Sequence, residues 1–166
     1  MQSQIRKPCT MATTTACIDT NAVVALVDAQ DKWHARAVAL RDALLAAQAQ
    51  LVYYDCVINE AIGVIGRRAE EQRRSDQFGR LLDGLLTIVP EPGITWIAAS
   101  AQHLFPSIVD LCRQHQGRVN FHDALMALAS QELGISVIVS FDGDFDRIGW
   151  LHRISEPAQV TDLLAS

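Results

Sequence analysis

Lysine is nearly absent from this chain of 166 residues, which has only Lys7 and Lys32 beside twelve arginines. No segment has the glycine-rich pattern that ends in Gly-Lys-Ser or Gly-Lys-Thr, which excludes a P-loop nucleotide site. No lysine follows Lys32, so the sequence also argues against phosphotransfer domains in which a late lysine assists an aspartate.

Metal-type cysteine pairs and long apolar runs are missing as well. The four cysteines form no Cys-x-x-Cys pair and have no histidine at zinc-finger spacing, which favours free thiols in a reducing cytoplasm. The longest uncharged stretch, residues 92–109, contains two prolines, a glutamine and a histidine, so no membrane span is expected.

The composition is that of one folded domain. Hydrophobic residues make up 49% and charged residues 20% of the chain, and its length allows a single core. The formal net charge of -5 argues against holding nucleic acid by bulk positive charge alone. We expect residues 1–14, which are polar and rich in threonine, to be a flexible extension, and residues 15–166 to form the domain.

Short apolar strands alternate with amphipathic helices along this domain. Strands are predicted at residues 16–18, 51–54, 86–89 and 135–139, with a last one beginning at Ile154. Helices are predicted at residues 22–27, 33–49, 55–70, 75–85, 95–103, 107–116 and 121–133, with Asp55 capping the third. The alternation predicts an α/β domain whose parallel sheet is covered by helices on both faces.

Four carboxylates fall where strands end or helices begin. Asp19 and Asp142 follow predicted strands, whereas Glu60 and Asp123 lie near the starts of predicted helices. In a parallel sheet, strand ends and the starts of the following helices meet at one edge, where such folds bind ligands. We therefore expect the four side chains to converge, although each one alone could be an ordinary cap or turn residue.

Converging carboxylates repel one another and need a cation to neutralise them. Oxygen donors with no cysteine nearby favour Mg²⁺ or Mn²⁺ over zinc. Two such ions could activate a water and stabilise the leaving oxygen of a phosphodiester. A metal would also allow an acidic protein to hold an RNA backbone.

The segments that carry these residues resemble a known family. Ile18-Asp19-Thr20-Asn21, Asn59-Glu60, His122-Asp123-Ala124-Leu125 and Ser140-Phe141-Asp142-Gly143-Asp144-Phe145 resemble the four acidic motifs of PIN-domain ribonucleases. The resemblance covers residues 16–155, and the small single domain is similar to VapC-type toxins of bacterial toxin–antitoxin pairs.

The resemblance implies a three-layer α/β/α fold and a cytoplasmic endoribonuclease that depends on Mg²⁺ or Mn²⁺ and leaves a 5′-phosphate and a 3′-hydroxyl. The residues that match the family's acidic positions and would bind metal are Asp19, Glu60, Asp123 and Asp142, together with the more variable Asp144. The residues that match its polar positions and would place substrate or water are Thr20, Asn21 and Ser140.

The resemblance also implies partners. They are an RNA substrate, a small antitoxin whose tail blocks the acidic cleft, and a second copy of the chain in a homodimer. Two alternatives remain: a non-catalytic PIN-like scaffold that binds RNA or a protein, and a phosphotransfer domain with Asp19 as phosphoacceptor. The lack of a late lysine, and Asn21 in place of a second aspartate, disfavour the phosphotransfer domain.

The segment after Glu60 is rich in arginine. Its basic residues are Arg67, Arg68, Arg73, Arg74 and Arg80. Acidic residues at i,i+4 spacing predict a solvated helix held by ion pairs, with RNA or a protein partner as alternative uses of the basic surface. Trp33, His34 and Trp96 are expected to be packing residues, and Asp28 and Asp146 to be loop or cap residues.

Overall fold

The computed structural model describes residues 14–165, in which five strands and seven α-helices alternate. The strands are β1 (Thr15–Ile18), β2 (Gln50–Tyr54), β3 (Ile94–Thr95), β4 (Val137–Val139) and β5 (His152–Ile154). The helices are α1 (Thr20–Val27), α2 (His34–Ala46), α3 (Asp55–Glu71), α4 (Phe78–Ile88), α5 (Ser100–Gln114), α6 (Phe121–Glu132) and α7 (Pro157–Ala165). Short 3-10 turns occupy Ser75–Gln77, Glu91–Gly93 and Gly143–Arg147.

All five strands run parallel, in the order β3-β2-β1-β4-β5. The chain runs outwards from β1 to β3 and then returns to β4 on the other side of β1. Because parallel crossovers are right-handed, α1 to α4 lie on one face and α5 and α6 on the other. Consistently, α1 contacts α2, α3 and α4, while α5 packs against α6. The predicted three-layer α/β/α architecture is confirmed.

The central strands β1 and β4 end at the same level. Apart from the half-buried Thr15, their side chains are buried, and Ile18 lies opposite Val139 in the parallel register. Since helices cover both faces of these strands, every position in them after Thr15 is apolar. Asp19 and Ser140 are therefore the first polar residues beyond the sheet, side by side at its carboxyl edge.

The strand predicted at residues 86–89 is wrong. Residues 86–88 continue α4 and Val89 is its C-cap, with Leu81, Leu85 and Val89 buried at successive four-residue steps. The helical spacing of these apolar residues outweighs the β-propensity of the run. The third strand is instead Ile94–Thr95, a two-residue edge strand at the start of a segment expected to be helical.

Two further predictions about helix boundaries are corrected. Residues 100–114 form one helix, α5, which passes through the exposed Pro106 with Leu104 and Ile108 buried on one side. Asp55 does not cap α3 through its side chain; it is the first helical residue. Its carboxylate accepts hydrogen bonds from the backbone of Ile97 at 2.9 Å and Ala98 at 3.2 Å, and so fixes the β3–α5 connection.

The predicted flexible extension lies outside the described residues, except for Thr14. The Thr14 carbonyl accepts a hydrogen bond from the Gln50 backbone N–H at 2.8 Å. Cys17, Cys56 and Cys112 are free thiols, whereas Cys9 falls before the described range. Within residues 14–165, no helix has both the length and the apolar character needed to cross a membrane.

Candidate active site

Asp19 links the end of β1 to the start of α1. It is the N-cap of α1, and its Oδ1 accepts a hydrogen bond from the Thr20 backbone N–H at 2.7 Å. Its Oδ2 accepts one from the Ser140 hydroxyl at 2.7 Å, which the shared register of β1 and β4 places beside it. The side chain is thus held on both oxygens, and only 5% of the residue is exposed.

The buried Asp19 carboxyl has a perturbed pKa. Burial, followed by the negative charges of Asp123 and Glu60, raises the pKa of Asp19 to about 7. The hydrogen bonds from Ser140 and the Thr20 N–H oppose this rise without cancelling it. A cation placed beside this carboxyl would lower its pKa, because a cation stabilises the charged form.

Glu60 reaches the same place from α3. Its Oε2 accepts a hydrogen bond from the Thr20 hydroxyl at 3.0 Å. Thr20 therefore connects the carboxylates of Asp19 and Glu60, through its backbone and its side chain respectively.

Asp123 enters from the opposite layer, in the first turn of α6. It forms a capping box with Asn120, in which the Asp123 Oδ2 accepts from the Asn120 N–H and the Asn120 Oδ1 accepts from the Asp123 N–H, both at 3.0 Å. Burial raises the pKa of Asp123 to about 6, and the charges of Glu60 and Asp142 add to the effect. The residue is therefore both a helix cap and a member of the acidic cluster.

Asp142 is set by the loop after β4. It caps the 3-10 turn that follows it, and its Oδ1 accepts from the Asp144 N–H at 2.9 Å. Its own N–H donates to the Ser140 hydroxyl oxygen at 3.0 Å, and the Asn21 amide donates to that same oxygen at 3.1 Å. The Phe141 N–H donates to the Asn21 side chain at 2.9 Å. Ser140 and Asn21 thus tie this loop to α1.

The structure brings the four predicted carboxylates into one pocket. The residues that line this acidic pocket are Asp19, Thr20, Asn21, Glu60, Val64, Arg68, Asn120, Asp123 and Asp142. Ser140 is fully buried beneath it. No three His, Cys, Asp or Glu side chains within residues 14–165 are arranged as a closed set of metal ligands. The pocket supplies the charge and the oxygen donors for a divalent cation, but not a finished coordination shell.

The structure does not bring Asp144 into the pocket. Its carboxylate accepts a hydrogen bond from the Arg147 Nε at 2.9 Å and lies 4.0 Å from a guanidinium nitrogen of Arg118. An arginine partner satisfies the charge that a metal would otherwise neutralise.

The arginine-rich segment is organised differently from the sequence prediction. Arg74 is buried and pairs with Asp28, and Arg68 pairs with Asp31, both across to the end of α1 and the loop that follows it. Among the described residues, none of the i,i+4 ion pairs expected along this segment forms, namely Arg67–Glu71, Glu70–Arg74 and Asp76–Arg80. The Asp28–Arg74 pair lowers the pKa of Asp28 below its usual value. The prediction of a helix held by its own ion pairs is wrong: Arg74, expected to pair within the segment, pairs instead with the distant Asp28.

Arg68 lines the acidic pocket, whereas the sequence predicts it only as one of several basic residues on a solvated helix. Glu60, Val64 and Arg68 follow one another at four-residue steps on α3, and all three line the pocket. This spacing places them on one face of a helix, so the position of Arg68 could have been read from Glu60.

No aromatic side chain within residues 14–165 lines the acidic pocket. Trp33 stacks on Phe141 with ring centroids 5.2 Å apart, as expected for a packing residue. Trp96 is 68% exposed, so the expectation that it packs is wrong. An apolar groove on the protein surface is lined by Ile58, Ile62, Trp96, Phe121, His122 and Leu125, among others.

Comparison with known proteins gives a family and a fold. A family model described as the PIN domain matches residues 16–151. The crystal structure of the Mycobacterium tuberculosis toxin VapC20, described as cleaving the sarcin-ricin loop, is similar with a TM-score of 0.61 and 22% identity, covering 81% of this chain and 95% of that one. The protein PAE2754 of Pyrobaculum aerophilum is similar with a TM-score of 0.57 and 17% identity, covering 92% and 91%. No curated protein sequence matches the chain.

Proposed function

The chain belongs to the PIN domain family, and from this premise we propose that it is a Mg²⁺- or Mn²⁺-dependent endoribonuclease that acts in the cytoplasm as the toxin of a toxin–antitoxin pair. The observation that carries the proposal is the acidic pocket, where four carboxylates from both helical layers meet and Arg68 is the single cationic residue among the described residues of the lining. Such a concentration of negative charge is costly to a fold, and a divalent cation offsets it.

Asp19, Glu60, Asp123 and Asp142 would hold the cation. They offer only oxygen donors, which suits Mg²⁺ or Mn²⁺. The raised pKa values of Asp19 and Asp123 agree with a site designed to hold positive charge. When bound, the cation supplies an activated water and stabilises the charge that develops on the phosphate. Asp144 is left out of this set because arginine already pairs with it.

The neighbouring polar residues keep the carboxylates in place. Ser140 holds one oxygen of Asp19 and also accepts from the backbone of Asp142, so it fixes two members of the pocket at once. Thr20 orients Glu60 through its hydroxyl. Asn21 supports the loop before Asp142, and its position on the pocket wall would also let it meet a substrate phosphate.

The partners follow from two surfaces. A basic side chain from an antitoxin would enter the acidic pocket and satisfy its carboxylates in place of the cation. The apolar groove would receive an apolar segment of the antitoxin or the second copy of a homodimer, since exposed Trp96 and Phe121 are typical of interface residues. A gene for a small DNA-binding protein directly upstream would support the toxin assignment over a housekeeping nuclease.

Cleavage of total cellular RNA tests the proposed activity. The purified chain, freed of copurified partners and shown to be folded, is incubated with Mg²⁺, with Mn²⁺ or with EDTA, beside Asp19→Asn and Asp123→Asn. We expect metal-dependent cleavage that falls about 100-fold or more in both variants. Asp83→Asn is the matched control because Asp83 is an exposed aspartate on α4 and is not among the residues that line the pocket.

Two other outcomes would contradict the proposed function. No cleavage by the folded chain would favour the non-catalytic scaffold that binds RNA or a protein. Cleavage that survives both substitutions, or that is lost equally in Asp83→Asn, would remove the acidic pocket from the reaction.

A further inference from the structure

Arg68 lies at the edge of the acidic pocket and lines two recesses of the surface. Within residues 14–165, it is the one cationic residue that lines the pocket. It also lines a second recess, together with Asp28, Gln30, Asp31, Lys32 and Gln72. The acidic pocket and the second recess therefore share Arg68 as a lining residue.

The arginine is not the counter-ion of the pocket carboxylates. Its Nη1 donates to the Oδ2 of Asp31, and within residues 14–165 its guanidinium makes no ion pair with Asp19, Glu60, Asp123 or Asp142. The acidic cluster thus keeps its charge for a cation, while Arg68 stays positive beside it.

Asp31 is built to hold Arg68 in place. The Asp31 side chain is only 4% exposed, and its Oδ1 accepts a hydrogen bond from the Trp33 N–H at 2.7 Å. Its second oxygen receives Arg68, whose own side chain remains 38% exposed. Since a guanidinium carries five N–H donors, anchoring through one nitrogen leaves others free to face a ligand.

The distance along α3 suits two neighbouring phosphates. Glu60 and Arg68 are eight residues apart on one face, which corresponds to about 12 Å of helix. The arginine side chain spans part of that distance. A strand whose scissile phosphate lies among the carboxylates would therefore carry an adjacent phosphate past Arg68.

The second recess offers a path with little net negative charge. Its two carboxylates are already paired, Asp28 with Arg74 and Asp31 with Arg68. Lys32 adds a positive charge there and lies 5.0 Å from the centre of the Trp33 ring. A polyanion leaving the acidic pocket on this side would meet cations.

We propose that Arg68, positioned by Asp31, binds the phosphate backbone of a single-stranded RNA segment as it runs from the acidic pocket into the second recess. This inference rests on the proposed ribonuclease function. The fork of an arginine matches a phosphate bidentately, and such a contact holds the strand without reading its bases. Arg68 thereby sets the affinity for the strand, and the carboxylates act on it.

Steady-state kinetics on an RNA oligonucleotide that carries the mapped cleavage site test this role. With Mn²⁺ present, we expect Arg68→Gln to raise KM about 10-fold while kcat changes less than about 3-fold. The dependence of log KM on log salt becomes shallower by about 0.7, the slope of one lost phosphate contact on a single strand. Arg68→Lys recovers part of the affinity, because it keeps the charge but not the fork.

Two more variants separate contact from structure. Asp31→Asn keeps an acceptor for the Trp33 N–H but loses the ion pair, so we expect a smaller rise in KM with an unchanged salt slope. Arg113→Gln is the matched control, since Arg113 pairs with Asp110 on the outer side of α5 and both side chains are more than 70% exposed. Its KM and salt slope should equal those of the wild type.

The two proposals fail in different ways. If the wild-type chain shows no metal-dependent cleavage, the ribonuclease function is overturned and this inference with it. If the wild type cleaves and Arg68→Gln matches Arg113→Gln in KM and salt slope, only the role of Arg68 is overturned. A loss confined to kcat would also overturn it, by placing Arg68 in the chemistry. Should Arg68→Gln fail to fold, Arg68→Lys decides through its KM alone.

Discussion

Two buried aspartates stand at the opposite ends of α1. Asp19 is the N-cap and Asp28 the C-cap, and each is 5% exposed. Asp28 accepts from the two Nη atoms of Arg74 at 3.2 and 2.7 Å, and its pKa is lowered chiefly by that arginine. Asp19 forms no ion pair with any described residue, and burial with the charges of Asp123 and Glu60 raises its pKa to about 7.

The helix itself would favour the opposite outcome. The positive end of a helix dipole lies at the N-terminus, so it stabilises a charge on Asp19 and destabilises one on Asp28. The local partners outweigh this effect at both ends. The charge of Asp28 is neutralised by Arg74 within the fold, so Asp28 contributes to the stability of the protein. The charge of Asp19 has no such partner in the described part of the chain, and a buried carboxylate with a perturbed pKa is typical of a functional site.

The largest effect that would sharpen this contrast comes from Arg74→Met. It leaves Asp28 buried without its cation, so we expect a loss of about 3–5 kcal/mol in the free energy of unfolding, measured with urea. Adding Asp28→Asn to it should restore part of the loss, since the unpaired charge is gone. Arg113→Met, at an exposed pair, should cost about 0.5 kcal/mol or less. Equal losses in the two single variants would remove the distinction between the ends of α1.

Metal ions should act at one end of the helix only. At about 100 times its dissociation constant, Mn²⁺ is expected to stabilise the wild type by about 2.7 kcal/mol, seen as a higher Tm. Asp19→Asn should lose this gain. Asp28→Asn should keep it, although its starting stability is lower. A gain that persists in Asp19→Asn would show that the ion binds elsewhere.

The sequence predicts the site better than it predicts the sheet edge. Asp19 and Asp142 follow strands whose buried positions are apolar, and parallel strands must end at one edge, so their convergence is a matter of topology. The positions of Glu60 and Asp123 follow from helices that begin at that edge. For these residues, local pattern and overall fold agree.

The Asp28–Arg74 pair could not be predicted in this way. The two residues are far apart in the sequence, and each has nearer residues of opposite charge with which the sequence could have paired it. The edge strand Ile94–Thr95 was not predicted for another reason. Two residues are too few to show the alternation of apolar and polar residues that is typical of a strand. Side-chain pairing and edge strands are decided by tertiary packing, which no short pattern contains.

The smallest predicted effect concerns pH and uses Asp123→Asn. The folded pKa of Asp123 is about 6 against an ordinary value of 3.8, so the folded state holds the proton more tightly in this window. The metal-free protein therefore loses stability through this group as the pH rises from about 4 to about 6. Above that window, asparagine should be more stable than aspartate by about 1 kcal/mol, since partial exposure reduces the full effect.

Urea unfolding in EDTA across pH 4 to 8 measures this difference. Asparagine retains an oxygen to accept the Asn120 N–H of the capping box, whereas Asp123→Ala does not and should gain less. The stability advantage of Asp123→Asn should shrink towards zero as the pH falls to about 4.

The stability of Asp28→Asn should depend on pH in the opposite sense. The folded pKa of Asp28 is lowered, so its substitution costs stability at neutral pH, and that cost fades only as the pH falls below about 4. Parallel pH profiles for the two variants would mean that both carboxyls are satisfied alike.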